Sequence, residues 1–125
     1  MTWHTIADSK YALLTTYKRD GTPVGTPVWV APDGDRIVVW THPDTGKVKR
    51  IRRNADVTLQ VCDPRGRTGD APPVAGRAEI LGPDGTERVR EVVGGKYRYA
   101  GRLFIRAHKM FKGADGSVGL AITRR

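Results

Sequence analysis

The residues best suited to chemistry stand together in Trp40–Asn54, WTHPDTGKVKRIRRN. Five of the seven residues from Lys47 to Arg53 are cationic and none is acidic. Val48 and Ile51, three apart, give a narrow apolar edge, and the spacing predicts a compact basic helix over Thr45–Asn54. On that helix Lys47 flanks the edge on one side, Lys49 flanks it on the other, and Arg50 and Arg53 point outward. The first amides of a helix lack intrahelical partners, so the Thr45-Gly46 start favours an anion. Lys47 adds a point charge to those amides, and together they make a phosphate cradle. A basic helix can also be no more than a solvated face. Like charges this dense, however, repel by about 0.2–0.5 kcal/mol per neighbouring pair, which an anion would relieve.

Gly46-Lys47 does not complete a nucleotide-binding loop. Thr41 stands where the first glycine is required, and Val48 where Ser or Thr must hold magnesium. A second segment, Thr26-Pro27-Val28-Trp29-Val30, carries a proline inside an apolar run. Proline has no ladder donor, so this strand lies at an edge, is bulged or faces a ligand. Backbone near Pro27 could meet the polar rim of a flat heterocycle, with Trp29 and Trp40 as walls; each tryptophan could equally be core. A third segment, Tyr97–Lys112, places Arg102, Arg106 and Lys109 on one helical stripe that faces an anionic tail, an acidic partner or water. His42 has no nucleophile context and His108 no identifiable partner. No catalytic triad, paired carboxylates or metal-ligand set is visible. No catalytic residue is assigned, and any chemistry belongs to a bound cofactor that the protein orients.

The elements that position these residues are mostly strands. Asp20-Gly21, Asp33-Gly34, Asp84-Gly85 and Asp115-Gly116 are turn signals, because glycine tolerates positive φ and Asp can bond its own backbone. The first two separate apolar blocks, so Tyr11–Lys18, Val24–Ala31 and Arg36–His42 read as three consecutive antiparallel strands. Val57–Cys62 and Ser117–Thr123 alternate with period two, and Val74–Leu81 is a sixth, less regular strand. Asp63–Pro73 holds too much Gly and Pro for regular structure and reads as a long, exposed, mobile loop. Trp3–Ser9 is a short starter helix. Thr86–Val93 and Leu103–Phe111 form a helical pair broken around Gly94-Gly95 and Gly101. Six strands with few helices predict a small antiparallel barrel.

Size and composition bound the reading. The chain has 125 residues, one domain's worth, and no apolar run approaches the ~20 residues of a membrane span. Lys plus Arg number 22 against 13 Asp plus Glu, a net charge of +9 that calls for an anionic partner. The single cysteine, Cys62, excludes an intrachain disulfide, and the absence of a Cys/His cluster argues against zinc. The start MTWHTIADSK lacks the charged and apolar stretches of a secretory signal, so the expected location is the cytoplasm. A basic barrel could also bind single-stranded nucleic acid, but the Lys47–Arg53 helix offers no aromatic stacking platform.

The run YALLTTYKRDGTPVGTPVWV, then RIVVWT, then TGKVKRIRRNADVTLQVCD, and finally GADGSVGLAIT closely resembles the split β-barrel flavin and deazaflavin oxidoreductases. That is the pyridoxamine 5′-phosphate oxidase-like superfamily, and within it the actinobacterial branch of coenzyme F420-dependent enzymes. The resemblance covers nearly the whole chain. It implies a six-stranded antiparallel split barrel, Greek-key in topology, with a few short helices. It implies a homodimer with two cofactor sites at the subunit interface. Thr26, Pro27, Val28 and Trp29 would lie along the isoalloxazine-like ring. Thr41 and Lys47 would approach the ribityl phosphate, with Lys49, Arg50 and Arg53 near the anionic end. The Arg-rich strand pattern of FMN-dependent oxidases is replaced here by TPVWV. That favours coenzyme F420, with its multiply charged phospholactyl-glutamyl tail, over FMN, the alternative cofactor. The implied reaction is hydride transfer to or from a small conjugated organic substrate. No proton donor is assigned; Tyr97, Tyr99 and His108 are candidates. The competing reading keeps the barrel as a non-catalytic carrier of flavin or haem.

Overall fold

The computed structural model describes residues 2–97 and 117–125. The helix expected over Leu103–Phe111, together with Tyr99, Arg102, Arg106, His108 and Lys109, lies outside them. Among the described residues seven strands form one antiparallel curled sheet: β1 Tyr11–Tyr17, β2 Pro23–Trp29, β3 Ala31–Asp33, β4 Arg36–Thr41, β5 Asp56–Val61, β6 Val74–Ile80 and β7 Val118–Arg124. Their order is β2-β1-β5-β6-β7-β4-β3. Among the described residues three helices accompany the sheet: α1 Thr2–Asp8, α2 Gly46–Arg53 and α3 Pro83–Tyr97.

Both expected hairpins are present. Gly21 (φ +90°) turns β1 into β2, which pairs Tyr11 with Trp29 and Tyr17 with Pro23. Gly34 (φ +63°) turns β3 into β4, which pairs Asp33 with Arg36. Two expectations need correction. The segment Val24–Ala31 is not one strand, so the barrel has seven strands rather than six. Nor do the first three strands run side by side. The chain bends at Val30, and β2 and β3, adjacent in sequence, sit at opposite ends of the sheet. That single buried residue therefore joins the two ends of a curled sheet. The cause is the sheet's own twist: a strand long enough to reach both ends must turn a corner.

The interior is lined by alternating residues of every long strand. Leu14, Val28, Ile37, Val39, Val57, Leu59, Leu120 and Ile122 form the main core, with Ile6 of α1 and Val48 and Ile51 of α2 closing it. A second cluster lies on the outer face, where Val89, Val93 and Tyr97 of α3 pack on Ala31, Val38 and Ala121, with Trp29 and Trp40 against them. This corrects the reading of α3. Asp84-Gly85 is no turn but the first turn of a helix that starts at Pro83, a position proline favours. The helix also runs unbroken through Gly94-Gly95. The stripe Val89, Val93 and Tyr97, spaced four apart, buries enough apolar surface to outweigh the ~1 kcal/mol helix penalty of each glycine. The helix sits close to the sheet: a Cβ on Gly119 would stand 2.7 Å from Val89 Cγ2. Gly119 N donates to Thr86 Oγ1 at 3.0 Å.

The loop 63–73 is exposed in large part but has internal order. The Asp63 carboxylate accepts bonds from the backbone of Arg65 and Arg67, both at 2.9 Å, and from Arg67 Nε at 2.7 Å. Those bonds hold its carboxyl below the usual range. Gly66 approaches Leu13 and Pro27 on the outer face of β1 and β2.

Candidate functional site

Helix α2 closes one end of the barrel because Val48 and Ile51 are buried in its core while the other face is charged. Thr45 precedes it in an extended conformation, and its hydroxyl donates to His42 O at 3.0 Å instead of capping the helix. No side chain caps the first amides, and no acidic residue stands in the first turn. The helix N-terminus therefore keeps its donors and its positive potential.

Arg50 does not simply project outward. Its Nε donates to Thr16 Oγ1 at 2.6 Å, and Thr16 is a fully buried residue of β1. Its Nη1 lies 2.7 Å from where a Cβ on Gly46 would stand, so the guanidinium lies back over the start of the helix. Nε is thus occupied and the terminal fork, the part that matches a phosphate or carboxylate, is held at the helix start. Lys47 flanks the packed edge, half-buried, and burial followed by the nearby Arg50 charge pushes its ammonium below the ordinary value.

Beside this helix lies an open cleft of about 510 Å³, lined by Lys18, Arg19, Asp20, Gly46, Lys49, Arg50 and Arg53. Lys49, Arg50 and Arg53, three of the expected anion-binding residues, meet there; Lys47 is not in its lining. Lys18 and Arg19, at the β1–β2 turn, form the second wall. From the sequence Lys18 reads as the end of a strand and Asp20-Gly21 as the turn, with no role for Lys18 or Arg19, although the Lys-Arg pair just before Asp20-Gly21 is a readable signal. Among the described residues that line it none is aromatic, and they offer no platform for stacked bases.

The expected ring-binding strand adjoins this region. On β1 and β2, Thr16 pairs with Val24 and Leu14 with Thr26. Thr26 therefore stands two residues, about 7 Å, along the strand from the level of the Arg50 contact. Thr26 and Val28 share the inner face, and Pro27 and Trp29 the outer one. Pro27 is exposed on a terminal strand of the sheet, as proline in a strand requires. Thr41 is 6% exposed at the end of β4, directly before the segment leading into α2. Trp29 and Trp40 do not form two walls of one slot; both pack on the outer face against α3. Trp29 stacks on Tyr97 with ring centroids 5.5 Å apart and meets the edge of Tyr11 at 6.5 Å.

The end of α3 ties this strand in place. Lys96 Nζ donates to the carbonyls of Ala7 at 2.9 Å, Val30 at 2.6 Å and Ser9. Burial pushes its ammonium down to about 8, against a smaller opposing pull from Asp8. The Tyr97 hydroxyl lies 2.6 Å from Lys10 O and 2.7 Å from Val30 O. Burial raises the Tyr97 phenol above its ordinary value, so it holds its proton and is ill suited to donate it. Neither residue's anchoring role was readable from sequence.

Among the described residues no helix is long and apolar enough to cross a membrane, and no group of acidic, His or Cys side chains could hold a metal ion. A family model described as pyridoxamine 5′-phosphate oxidase matches residues 4–115. No curated protein matches the chain. Among solved structures, the conserved hypothetical protein Rv2991 of Mycobacterium tuberculosis is 27% identical with a TM-score of 0.71, covering 100% of this chain and 81% of that one. An F420 reductase is 21% identical with a TM-score of 0.65, covering 98% and 93%. A FAD-binding protein of Mesorhizobium loti is 18% identical with a TM-score of 0.68, covering 98% and 84%. At the last two identities the likeness is one of fold. The curled seven-stranded sheet and a family match over most of its length agree: this chain belongs to the pyridoxamine 5′-phosphate oxidase family of split β-barrels.

Proposed function

We propose that the protein is an oxidoreductase that binds the deazaflavin coenzyme F420 and serves hydride transfer to or from a small conjugated organic substrate. The observation that carries this reading is the cleft beside α2. Five cationic side chains line it against one carboxylate, next to an uncapped helix start. Such a donor set suits a ligand with several negative charges better than one with a single phosphate. The structural neighbours that include an F420 reductase and a FAD-binding protein support a flavin-type ligand.

When bound, the deazaflavin supplies the hydride chemistry at its C5. The chain's own residues supply position and charge. Lys47 and the first amides of α2 hold the phosphate. Arg50, oriented by Thr16, offers its terminal fork to the same anionic region, and Lys49 and Arg53 neutralise charge further out. Thr26, half-buried on β2, and the backbone of that strand at Pro27, whose missing donor leaves it free to meet a polar rim, would border the ring. Rigid placement of both partners is what lowers the barrier. Tyr11, Leu13, Tyr17 and Pro27, on the outer face of β1 and β2, are half-buried or exposed. A second copy of the chain packs on that face and completes the site as a homodimer.

Titration of the protein with coenzyme F420 and FMN side by side tests the reading. The expected result is at least about tenfold tighter binding of F420, some 1.4 kcal/mol. Equal or tighter binding of FMN overturns it. Sedimentation at micromolar concentration should give about twice 13.8 kDa, and a monomer that binds cofactor tightly removes the second copy from the site.

A further inference from the structure

Two groups stand out among the described cations. Arg36, Arg67, Arg88, Arg90 and Arg125 each sit within 4 Å of a carboxylate. Lys18, Arg19, Lys49, Arg50 and Arg53 line one cleft, and among the described residues none of them forms a salt bridge. The one carboxylate among the described residues of that lining, Asp20, accepts a bond from Thr22 N at 3.0 Å, which helps keep it ionised. It can offset one of the five charges and no more. The rest line the same cleft as like charges and repel.

The hairpin wall of the cleft is firm. Lys18 N donates to Thr22 O and Gly21 N to Lys18 O, both at 2.9 Å, and Gly21 adopts the positive φ that the turn needs. Lys18 and Arg19 therefore project from a fixed turn opposite α2. The cleft's 510 Å³ falls among small-molecule sites, and a single phosphate at the helix start would leave most of it unfilled. The described residues of its lining are mostly cationic and none is aromatic, which suits a flexible chain of anionic groups better than a flat ring.

We infer that Lys18 and Arg19 form a second anion subsite, which takes the distal carboxylates of a ligand whose proximal phosphate lies at the start of α2. The two residues set specificity for the length and charge of the tail. The identity of the ligand rests on the proposed function; the subsite itself rests on the paired and unpaired cations and the cleft.

The test is Lys18→Ser with Arg19→Ser, leaving Asp20-Gly21 to make the turn. Three probes are titrated: coenzyme F420 with its glutamyl tail, the same deazaflavin with its phosphate but no glutamyl tail, and inorganic tripolyphosphate. The double variant should bind tailed F420 about tenfold more weakly, bind the tail-less form unchanged, and show a shallower salt dependence. Equal weakening of both deazaflavins, or weakening of neither, overturns the subsite. Should the wild type bind neither deazaflavin, the proposed function falls and tripolyphosphate decides. Weaker binding of tripolyphosphate to the double variant then sustains the subsite, and equal binding overturns it.

Discussion

Lys96→Met removes three bonds at once while keeping the length of the side chain. The ammonium holds the carbonyls of Ala7, Ser9 and Val30, so it joins the end of α1 and the bend between β2 and β3 to α3. Bonds to a charged donor contribute about 1.5–3 kcal/mol each when fully buried. Lys96 is only half-buried and its desolvation opposes the gain, so the expected net loss is about 2–4 kcal/mol. That is a large share of a domain's ~5–15 kcal/mol. At this size it lowers the melting temperature by about 6–20 °C. Urea and thermal denaturation followed by circular dichroism measure it. The pH dependence is a sharper check. The native ammonium titrates at about 8, against 10.5 ordinarily. Between those values the unfolded chain binds the proton that the native protein has released, so this residue's contribution to stability rises with pH. It is lost as pH falls through 8. The gap between wild type and variant should therefore widen from pH 8 to just under 10, at up to about 1.4 kcal/mol per unit. Staying under 10 keeps Tyr97 from contributing, because its own raised pKa removes stability only above the ordinary 10.0. A variant within 0.5 kcal/mol of wild type at pH 7 refutes the anchoring role. A gap that narrows between pH 8 and 10 shows that the three carbonyls hold the proton more strongly than burial expels it.

Thr16→Val removes the acceptor of Arg50 Nε and should weaken coenzyme F420 binding about tenfold by calorimetry, with Thr16→Ser restoring it. Unchanged affinity in Thr16→Val would mean that Arg50 needs no orienting partner. Lys47→Ala should lower deazaflavin affinity about ten- to a hundredfold, whereas Arg52→Ala, on an exposed position outside the cleft, should leave it within twofold. Equal affinities for the two would remove Lys47 from the phosphate site. Gly119→Ala places a methyl group against Val89 and should cost about 1–3 kcal/mol in urea unfolding, and a neutral result would mean that α3 shifts freely on β7.

The strands were legible where alternation and turn chemistry agreed. Val57, Leu59, Leu120 and Ile122 all face the core, and Gly21 and Gly34 take the positive φ that Asp-Gly implied. The seventh strand was hidden because a corner at Val30 leaves no local mark: Val28, Val30 and Ala31 are all buried, and apolar residues continue across the bend. The unbroken α3 was misread for the opposite reason. Gly85, Gly94 and Gly95 are strong local signals that tertiary packing of Val89, Val93 and Tyr97 overrides. Three of the five cations of the cleft could be read because Lys49, Arg50 and Arg53 are close in sequence. Lys18 and Arg19 reach it only through the fold. Thr16 gave no signal, since a buried threonine in an alternating strand looks like any other core position until Arg50 is seen beside it.

β7 stands between β6 and β4, pairing Ile80 with Leu120 on one side and Val39 with Leu120 on the other. Without it the ladder falls into two pieces, β2-β1-β5-β6 and β4-β3. Every earlier strand is thus waiting for the last one. Until residues 118–124 insert, two apolar strand edges face solvent, the arrangement most prone to pairing with other chains. Native pairing of β4 with β7 spans about eighty residues, so folding should be slow for a domain of this size and governed by that late insertion. A peptide of residues 117–125 supplied in trans would then act as a missing stave, driving a chain that lacks it to close.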